Sequence, residues 1–209
     1  VKRTKQRPLA SKKISVSRAF FYVVLLCIIA FIILLQFNFL TIVLGMSSMI
    51  FAFTYPFMKR ITYWPQLFLG LTFNWGVIMA WTSITGGLSI EPFILYLAAI
   101  FWTLGYDTIY GLQDIDDDEI IGVKSTSIKF KNNPKTFVGS CYCLCVLFIL
   151  IMYVEMEINK YLMFLIIPFI LSFIYQLKIH RGPSGKNGEI PNSGRHHNYW
   201  WNRVRGNKT

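Results

Sequence analysis

Carboxylates are concentrated in one short stretch of the chain, Tyr106–Thr126. Asp107 directly follows an apolar run, so we expect it at or near membrane depth, where a carboxylate is costly and is a functional candidate by default. If the stretch is one helix turning about 100° per residue, Asp114 and Asp118 each lie about 20° from Asp107 around the axis, on opposite sides of it. The three carboxylates would then form a stripe, with Asp116 on the opposite face.

The spacing of this stripe suits one divalent cation. Along the helix axis, Asp114 and Asp118 would be about 6 Å apart, whereas Asp107 would lie about 10 Å deeper than Asp114. One ion could therefore engage the first pair but not all three. Mg²⁺ accepts one or two carboxylates and completes its octahedron with phosphate oxygens and water, which favours a magnesium–diphosphate site. The alternatives are an acidic helix end in solvent and a loose Ca²⁺ site; the spacing excludes an EF-hand loop.

A second polar segment pairs an aromatic residue with a cation. Tyr55 and Lys59 are four residues apart, so on a helix they would sit one above the other. Pro56 lies between them and removes a backbone donor, which weakens that regular geometry. The pair could be an interfacial anchor at a helix end, as aromatic and lysine residues often are, or part of a functional site.

A third polar segment, Val1–Ser11, is strongly basic, with four cations in its first seven residues. Arg3 and Arg7 have the forked guanidinium geometry that binds phosphate through two hydrogen bonds. The segment could equally be a loop whose charge only sets membrane orientation, for which Lys and Arg in any order would serve. Its spacing does not decide between the two.

Long apolar runs are the elements that would position these side chains. Hydrophobic residues make up 54% and aromatic residues 17% of the 209 residues, well above the usual level of a soluble domain. A helix needs about 20 apolar residues to cross a bilayer core. Six runs approach that length: Val16–Leu35, Phe39–Phe57, Leu67–Ile84, Phe93–Tyr106, Phe137–Val154 and Tyr161–Leu177. The sequence therefore predicts an all-α integral membrane protein, in which the fourth run continues as helix into the acidic stretch.

The placement of charge separates a membrane protein from a nucleic-acid-binding one. The net charge is +11, but threading the chain through six crossings puts nearly every Lys and Arg on one side, with Lys160 opposite. The connections on that opposite side are short and contain one basic residue, Lys160, in all: Gln36–Asn38, Thr85–Pro92 and Glu155–Lys160. This positive-inside asymmetry predicts a lipid bilayer as partner, no nucleic acid, and a basic face in the cytoplasm or the mitochondrial matrix.

The cysteines and the chain ends complete the domain prediction. Cys141, Cys143 and Cys145 are two residues apart within an apolar run, so on a helix they should point to different faces and act as small hydrophobic residues rather than metal ligands. Residues 1–179 are predicted to form the membrane domain and residues 180–209 a polar, disordered tail. Because the chain opens with Val1 in a polar basic stretch, we expect it to be a fragment.

Taken together, the three polar segments resemble motifs of the UbiA superfamily of intramembrane prenyltransferases, and within it those that act on 4-hydroxybenzoate. The stretch from Asp107 to Thr126 is similar to the second aspartate-rich motif, including its trailing Gly122-Val-Lys-Ser-Thr126. Tyr55-Pro-Phe-Met-Lys-Arg60 is similar to the Tyr-x-x-x-Lys motif, continued by Trp64-Pro-Gln. Val1–Ser11 is similar to the stretch that follows the first aspartate-rich motif.

The resemblance implies a bundle of nine transmembrane helices around a cavity and a Mg²⁺-dependent transfer of a polyprenyl group from its diphosphate to the ring of 4-hydroxybenzoate, on the route to ubiquinone. The metal ligands it implies are Asp114, Asp117 and Asp118. The diphosphate-binding residues it implies are Arg3, Arg7, Lys59 and Lys124. The residues it places in catalysis are Asp107, Tyr55 and Lys59. The membrane would be a bacterial or mitochondrial inner membrane.

The sequence also departs from this family. Its first motif, Asn-Asp-x-x-Asp-x-x-x-Asp, should lie just before Val1 and is absent, so we expect the chain alone to have little activity. One alternative is therefore an inactive remnant. A second is a small channel or transporter, with Asp107 and Asn74 lining a polar pathway. A third, within the family, is prenylation of another aromatic acceptor.

Overall fold

The computed structural model describes residues 7–157 and 160–179. In this part of the chain every regular element is a helix. The helices are α1 Val16–Leu34, α2 Phe39–Ile61, α3 Pro65–Phe73, α4 Gly76–Thr85, α5 Glu91–Gly111, α6 Ile115–Ile121, α7 Thr126–Lys129, α8 Pro134–Glu155 and α9 Ile166–Ile179, with a 3₁₀ segment, Lys160–Leu165, before the last. Residues 180–209, predicted to form a tail, lie outside the described residues.

Six stretches of helix are long and apolar enough to cross a membrane, which confirms the sequence prediction. They are Val16–Leu34, Phe39–Ile61, Pro65–Thr85, Glu91–Gly111, Pro134–Glu155 and Tyr161–Lys178. Many of their large apolar side chains are exposed, and α1 buries none of its residues. Such surfaces fit a hydrocarbon solvent, in which backbone hydrogen bonds must close within helices. The chain is an integral membrane protein.

The tightest packing joins α5 to α8. Ala98 of α5 packs with Val138, Tyr142 and Cys145 of α8, and Phe173 of α9 stacks on Tyr142 with ring centroids 4.2 Å apart. Gly105 lets the two helices approach, because a Cβ atom at this position would collide with the ring of Tyr142. The side chain of Tyr142 also donates a hydrogen bond of 2.5 Å to Gln176. Small residues and interhelical hydrogen bonds of this kind hold membrane helices together where lipid supplies no hydrophobic driving force.

The third predicted span is one membrane crossing but not one continuous helix, since α3 ends at Phe73 and α4 begins at Gly76. Asn74 fills the break. It is 7% exposed, and its amide donates to the carbonyls of Gly70 at 2.9 Å and Ala99 at 3.2 Å and to the hydroxyl of Thr103 at 2.8 Å. The side chain therefore serves packing between α3 and α5, because it satisfies carbonyls and a hydroxyl that lipid could not.

Hydrogen bonds tie helix ends together at both ends of the bundle. At one end, Asn38 before α2 donates to the carbonyl of Thr82 in α4 at 2.6 Å, and the hydroxyls of Thr41 and Thr82 lie 3.0 Å apart. At the other end, the amide of Lys124 donates to the carbonyl of Lys59 at 2.8 Å. We call this second end the motif face, since it carries the end of α2, the end of α5 and the connection from residue 112 to residue 133.

Cysteine placement agrees only partly with the expectation from spacing. Cys143 is exposed, as a residue on another face should be, but Cys141 and Cys145 are both buried. These two are four residues apart, so they share the α8 face that packs into the core. Their burial there fits the role of small apolar residues.

Candidate active site at the motif face

The end of α2 brings Tyr55 and Lys59 to the motif face. The helix continues through Pro56 to Ile61, so the regular four-residue spacing of the two side chains is kept. Tyr55 is half-buried and Lys59 is exposed. A phenol near the bundle and a cation one turn closer to its end can address two parts of one elongated ligand.

Tyr55 meets the first acid of the acidic stretch. The carboxylate of Asp107, in the last turns of α5, is close enough to the phenol of Tyr55 to interact with it electrostatically, and it interacts in the same way with Tyr106. Asp107 is half-buried. Two of the three residues assigned to catalysis from the sequence thus lie together, although 52 residues separate them in the chain.

The acidic stretch is not the single helix that the stripe requires. α5 ends at Gly111, and a separate short helix, α6, begins at Ile115 with Asp114 at its N-cap position. The angular relation of Asp107 to Asp114 and Asp118 was therefore wrongly predicted. Gly111 and the acids that follow Asp114 were the sequence signal for this break, since a glycine often follows a helix and acids favour a first turn.

The relation between Asp114 and Asp118 does not depend on that break. The amide of Asp118 donates to the carbonyl of Asp114 at 2.8 Å, so the two residues stand on successive levels of one helical turn. Asp114, Asp117 and Asp118 are half-buried, whereas Asp116 is exposed. We call the three half-buried acids, Asp114, Asp117 and Asp118, the sheltered group; Asp116 points away from it to the surface.

The chemistry of this sheltered group suits Mg²⁺. Its donors are carboxylate oxygens, the ligands that Mg²⁺ prefers, and one or two of them suffice when phosphate and water complete the shell. Among the described residues, no group of three or more His, Cys, Asp or Glu side chains is placed to hold a metal ion by itself. The arrangement thus fits a site that a diphosphate completes better than an all-protein cage.

Gly122 turns the chain from these acids towards α2. Its φ of +75° is left-handed, and the amides of Gly122 and Val123 bond back to Glu119 at 3.2 Å and Asp118 at 3.1 Å. Lys124 follows. Its amide bonds the carbonyl of Lys59, which closes the distance between the acidic helix and the end of α2.

The Lys124 side chain also lies over the end of α2. Its ammonium donates to the carbonyl of Ile61 at 3.2 Å and lies 5.5 Å from the ring centroid of Tyr63. An ammonium has three donors, and within the described part of the chain one of them is used by Ile61. Lys59 and Lys124 thus bring two cations beside the acidic helix.

The two predicted arginines contribute less. Arg3 lies outside the described residues. Arg7 is exposed before α1, and its carbonyl accepts hydrogen bonds from the amide and the hydroxyl of Ser11 at 2.8 and 2.9 Å. Its role towards a diphosphate stays a prediction.

A buried polar cluster behind these residues was not foreseen from the sequence as a unit. It consists of Gln66 in α3, Thr108 in α5, and the run Ser125, Thr126 and Ser127. Single-sequence reasoning had no means of pairing residues 60 positions apart, although Gln66 and Thr126 each belong to a quoted motif. We call these five residues the polar clasp.

Comparisons with known proteins identify relatives of this chain. The UbiA prenyltransferase family matches residues 1–198. The 4-hydroxybenzoate octaprenyltransferase of Vibrio parahaemolyticus is 45% identical over 139 residues, which are 66% of this chain and 49% of that protein. The mitochondrial 4-hydroxybenzoate polyprenyltransferase of Arabidopsis thaliana is 49% identical over 138 residues, 65% of this chain and 33% of that protein. The chain spans about half the length, or less, of such curated relatives.

The fold has a solved counterpart. The apo structure of a UbiA homolog from Aeropyrum pernix K1 superposes with a TM-score of 0.74 over 85% of this chain and 68% of that one, at 23% identity. Identity at this level speaks for the fold alone, which is the helical bundle described above. With the family match extending over residues 1–198 of 209, this chain belongs to the UbiA prenyltransferase family.

Proposed function

We propose that the protein containing this chain transfers a polyprenyl group from polyprenyl diphosphate to the ring of 4-hydroxybenzoate, with Mg²⁺ as cofactor, in ubiquinone biosynthesis. The observation that carries the proposal is the convergence on the motif face of Tyr55 with Asp107, and of Lys59 with Lys124, beside the acids of α6. The names of the relatives at 45% and 49% identity support the choice of acceptor.

The diphosphate is assigned to the outer part of the motif face. One or two carboxylates of the group Asp114, Asp117 and Asp118 would hold Mg²⁺, whose charge would neutralise phosphate oxygens and favour departure of the diphosphate. Lys59 and Lys124 would contact the same oxygens. Arg3 and Arg7 are proposed to add to this positive field. Preorganised cations act where negative charge develops, which in this reaction is on the leaving diphosphate.

The reaction breaks the allylic carbon–oxygen bond, and its electron pair leaves with the diphosphate. The ring carbon ortho to the phenol oxygen then bonds to the allylic carbon, and the proton on that ring carbon is lost. Tyr55 lies one turn before Lys59, and Asp107 lies one turn before the end of α5, so both are set back from the helix ends. We propose that the ring approaches from that side. We assign Asp107 to stabilising the allylic cation and to accepting the proton from the ring carbon, and Tyr55 to acting electrostatically on that carboxylate.

The bilayer supplies the other half of the environment. A polyprenyl chain is apolar and would partition into the hydrocarbon around α1 and α2, whose outer faces are exposed apolar side chains. We propose a bacterial or mitochondrial inner membrane, with the motif face towards the cytoplasm or matrix, because basic residues of the described part of the chain, such as Lys59, Lys124 and Lys131, lie there.

The structure does not favour the channel alternative, which is based on Asn74 and Asp107. Asn74 would have to face a pathway, but its amide is buried and bonded to Gly70, Ala99 and Thr103. A channel would need polar residues across the full depth of the membrane, whereas Asp107 lies near the end of α5, where it interacts with Tyr55 at the motif face.

An activity assay tests the proposal. The protein, expressed from its full coding sequence in membranes that lack their own 4-hydroxybenzoate polyprenyltransferase, should convert labelled 4-hydroxybenzoate and a polyprenyl diphosphate into a lipid-soluble product. Chelation of Mg²⁺ should abolish the conversion, and Mg²⁺ should restore it. Transfer to dihydroxynaphthoate or homogentisate in place of 4-hydroxybenzoate would instead favour another acceptor. Absence of transfer to all three acceptors would overturn the assignment.

A further inference from the structure

Gln66 belongs to the Trp64-Pro-Gln segment, to which the proposed chemistry assigns no role. Its side chain is 4% exposed, and its carbonyl oxygen accepts the backbone amide of Thr126 at 3.0 Å. This single bond joins the start of α3 to the start of α7, two elements 60 residues apart in the chain.

Thr126 extends the connection to α5. Its hydroxyl shares a hydrogen bond of 2.7 Å with the hydroxyl of Thr108, which also donates to the carbonyl of Leu104 at 2.6 Å. The hydroxyl of Ser127 donates to the carbonyl of Thr108 at 2.8 Å. Thr108, Thr126 and Ser127 are fully buried, so water cannot replace any partner that is removed.

The last residue of α5, Gly111, leaves room for the side chains of Ser127 and Gln66. A Cβ atom on Gly111 would collide with the hydroxyl of Ser127 and would come within 3.6 Å of the Gln66 amide. The polar clasp therefore lies directly against the last residue of α5, one turn beyond Asp107. Thr126 and Ser127 are fully buried and Gln66 is 4% exposed, so these residues are almost entirely withdrawn from the surface of the bundle.

On the other side of the clasp lie the diphosphate residues. Lys124 is two residues before Thr126, and the cap at Gly122 ties Lys124 to Asp118 through the bond from Val123. A shift of the Thr126 amide would therefore move Lys124 and the acidic helix together, relative to α5.

We propose that Gln66 is a positioning residue that sets the place of Lys124 and the acids of α6 against Asp107, and thereby the affinity for magnesium diphosphate rather than for the aromatic acceptor. This inference rests on the proposed function. Gln66 touches no substrate in this scheme and acts only through Thr126.

The test compares two substitutions in the full-length protein. Gln66→Met keeps the length of the side chain and removes the acceptor, whereas Gln66→Glu keeps an acceptor oxygen. We expect Gln66→Met to raise the KM for polyprenyl diphosphate and the half-saturating Mg²⁺ concentration about tenfold, as loss of an outer-shell partner commonly does, with the KM for 4-hydroxybenzoate unchanged. Gln66→Glu should lie closer to the unmodified protein. Thr126→Val should resemble Gln66→Met, and Thr126→Ser should not.

A second measurement does not depend on activity. Hydrogen exchange followed by mass spectrometry should show faster exchange of residues 122–129 in Gln66→Met than in the unmodified protein, with α8 unchanged. No transfer by the unmodified protein would count against the proposed function. Normal transfer by it, together with an unchanged KM for polyprenyl diphosphate in Gln66→Met or equal shifts for both substrates, would overturn the role of Gln66, as would unchanged exchange of residues 122–129.

Discussion

Tyr55 and Asp107 come from different helices, and the bundle places a phenol beside a half-buried carboxylate. Placing a carboxylate at the edge of the hydrocarbon costs free energy, which makes Asp107 a candidate for a functional role. A developing allylic cation is one such role, because a fixed negative charge in a dry site stabilises it strongly. The phenol of Tyr55 is close enough to act electrostatically on this carboxylate.

If Tyr55 and Asp107 act as a unit, the losses of activity caused by replacing each of them should not add. We expect Asp107→Asn to lower kcat/KM by about 10²-fold or more, as the loss of one preorganised electrostatic partner does. Tyr55→Phe should lower it less, and should have little further effect once Asp107 is replaced. Steady-state kinetics of the two single variants and the double variant give the coupling. Tyr55→Phe combined with Asp116→Asn is the matched control and should be additive; additivity in the first cycle would separate the two residues functionally.

The acids of α6 allow a matched comparison within one turn. Asp118 is half-buried and Asp116 is exposed, yet the two have the same chemistry. We expect Asp118→Asn to raise the Mg²⁺ concentration for half-maximal transfer by at least about tenfold, since loss of even an outer-shell partner costs metal affinity on that order. Asp116→Asn should leave it within about twofold. Mg²⁺ titration of transfer activity measures both, and equal shifts would remove Asp118 from the metal site.

At the scale of the element, the sequence predicts a helix better than it predicts where the helix breaks. All six spans could be read from apolar length, because a bilayer fixes how long such a run must be. The break at Asn74 could not, since it depends on a tertiary partner, whereas the break after Gly111 left a local signal in the glycine and in the acids that follow it. Asn74 is held by α5, and Gly111 is needed because Ser127 lies against it.

The same limit applies to the candidate site. Lys59, Asp107, Asp114 and Asp118 stood out because charge is rare in apolar spans. Tyr55 stood out because it lies four residues before Lys59. Gln66 and Thr108 did not, because neutral polar residues on a membrane helix have no distinctive spacing. Only their burial and their hydrogen bonds identify them.

Close contact between α5 and α8 gives a prediction for an element. A Cβ on Gly105 would lie 2.5 Å from a ring carbon of Tyr142, so Gly105→Ala must push the helices apart or turn the ring. Overpacking of this kind costs about 1–3 kcal/mol. We expect a lower thermal unfolding midpoint in detergent micelles for Gly105→Ala. In Gly139→Ala the new methyl group would lie 3.9 Å from Leu177, so that variant is the control and should not be destabilised. Equal midpoints for the two variants would contradict the packing.

At the scale of the whole molecule, the proposed chemistry requires that all its polar parts share one side of the membrane. Hydrogen bonds already join Lys59 to Lys124 at one end of the bundle and Asn38 to Thr82 at the other. The connections at the second end are short and poor in basic residues, whereas the described part of the first end carries Lys59, Arg60, Lys124, Lys129, Lys131 and Lys135. Helices that cross an even number of times between these ends leave Arg7 and Lys178 on the motif face as well.

Single cysteines can test this arrangement in a membrane. Gly87 and Asn132 are both exposed, and a Cβ on Gly87 meets no atom within 4 Å, so Gly87→Cys and Asn132→Cys should fold normally. They would be made in a background without the four native cysteines, with the buried Cys141 and Cys145 replaced by Ala to keep the core small and apolar. In sealed vesicles of one orientation, an impermeant thiol reagent should label one position and not the other until the vesicles are opened. The bundle has Gly87 in the connection after α4 and Asn132 between α7 and α8, at opposite ends, so labelling of both from the same side would contradict the six-crossing topology on which a one-sided active site depends.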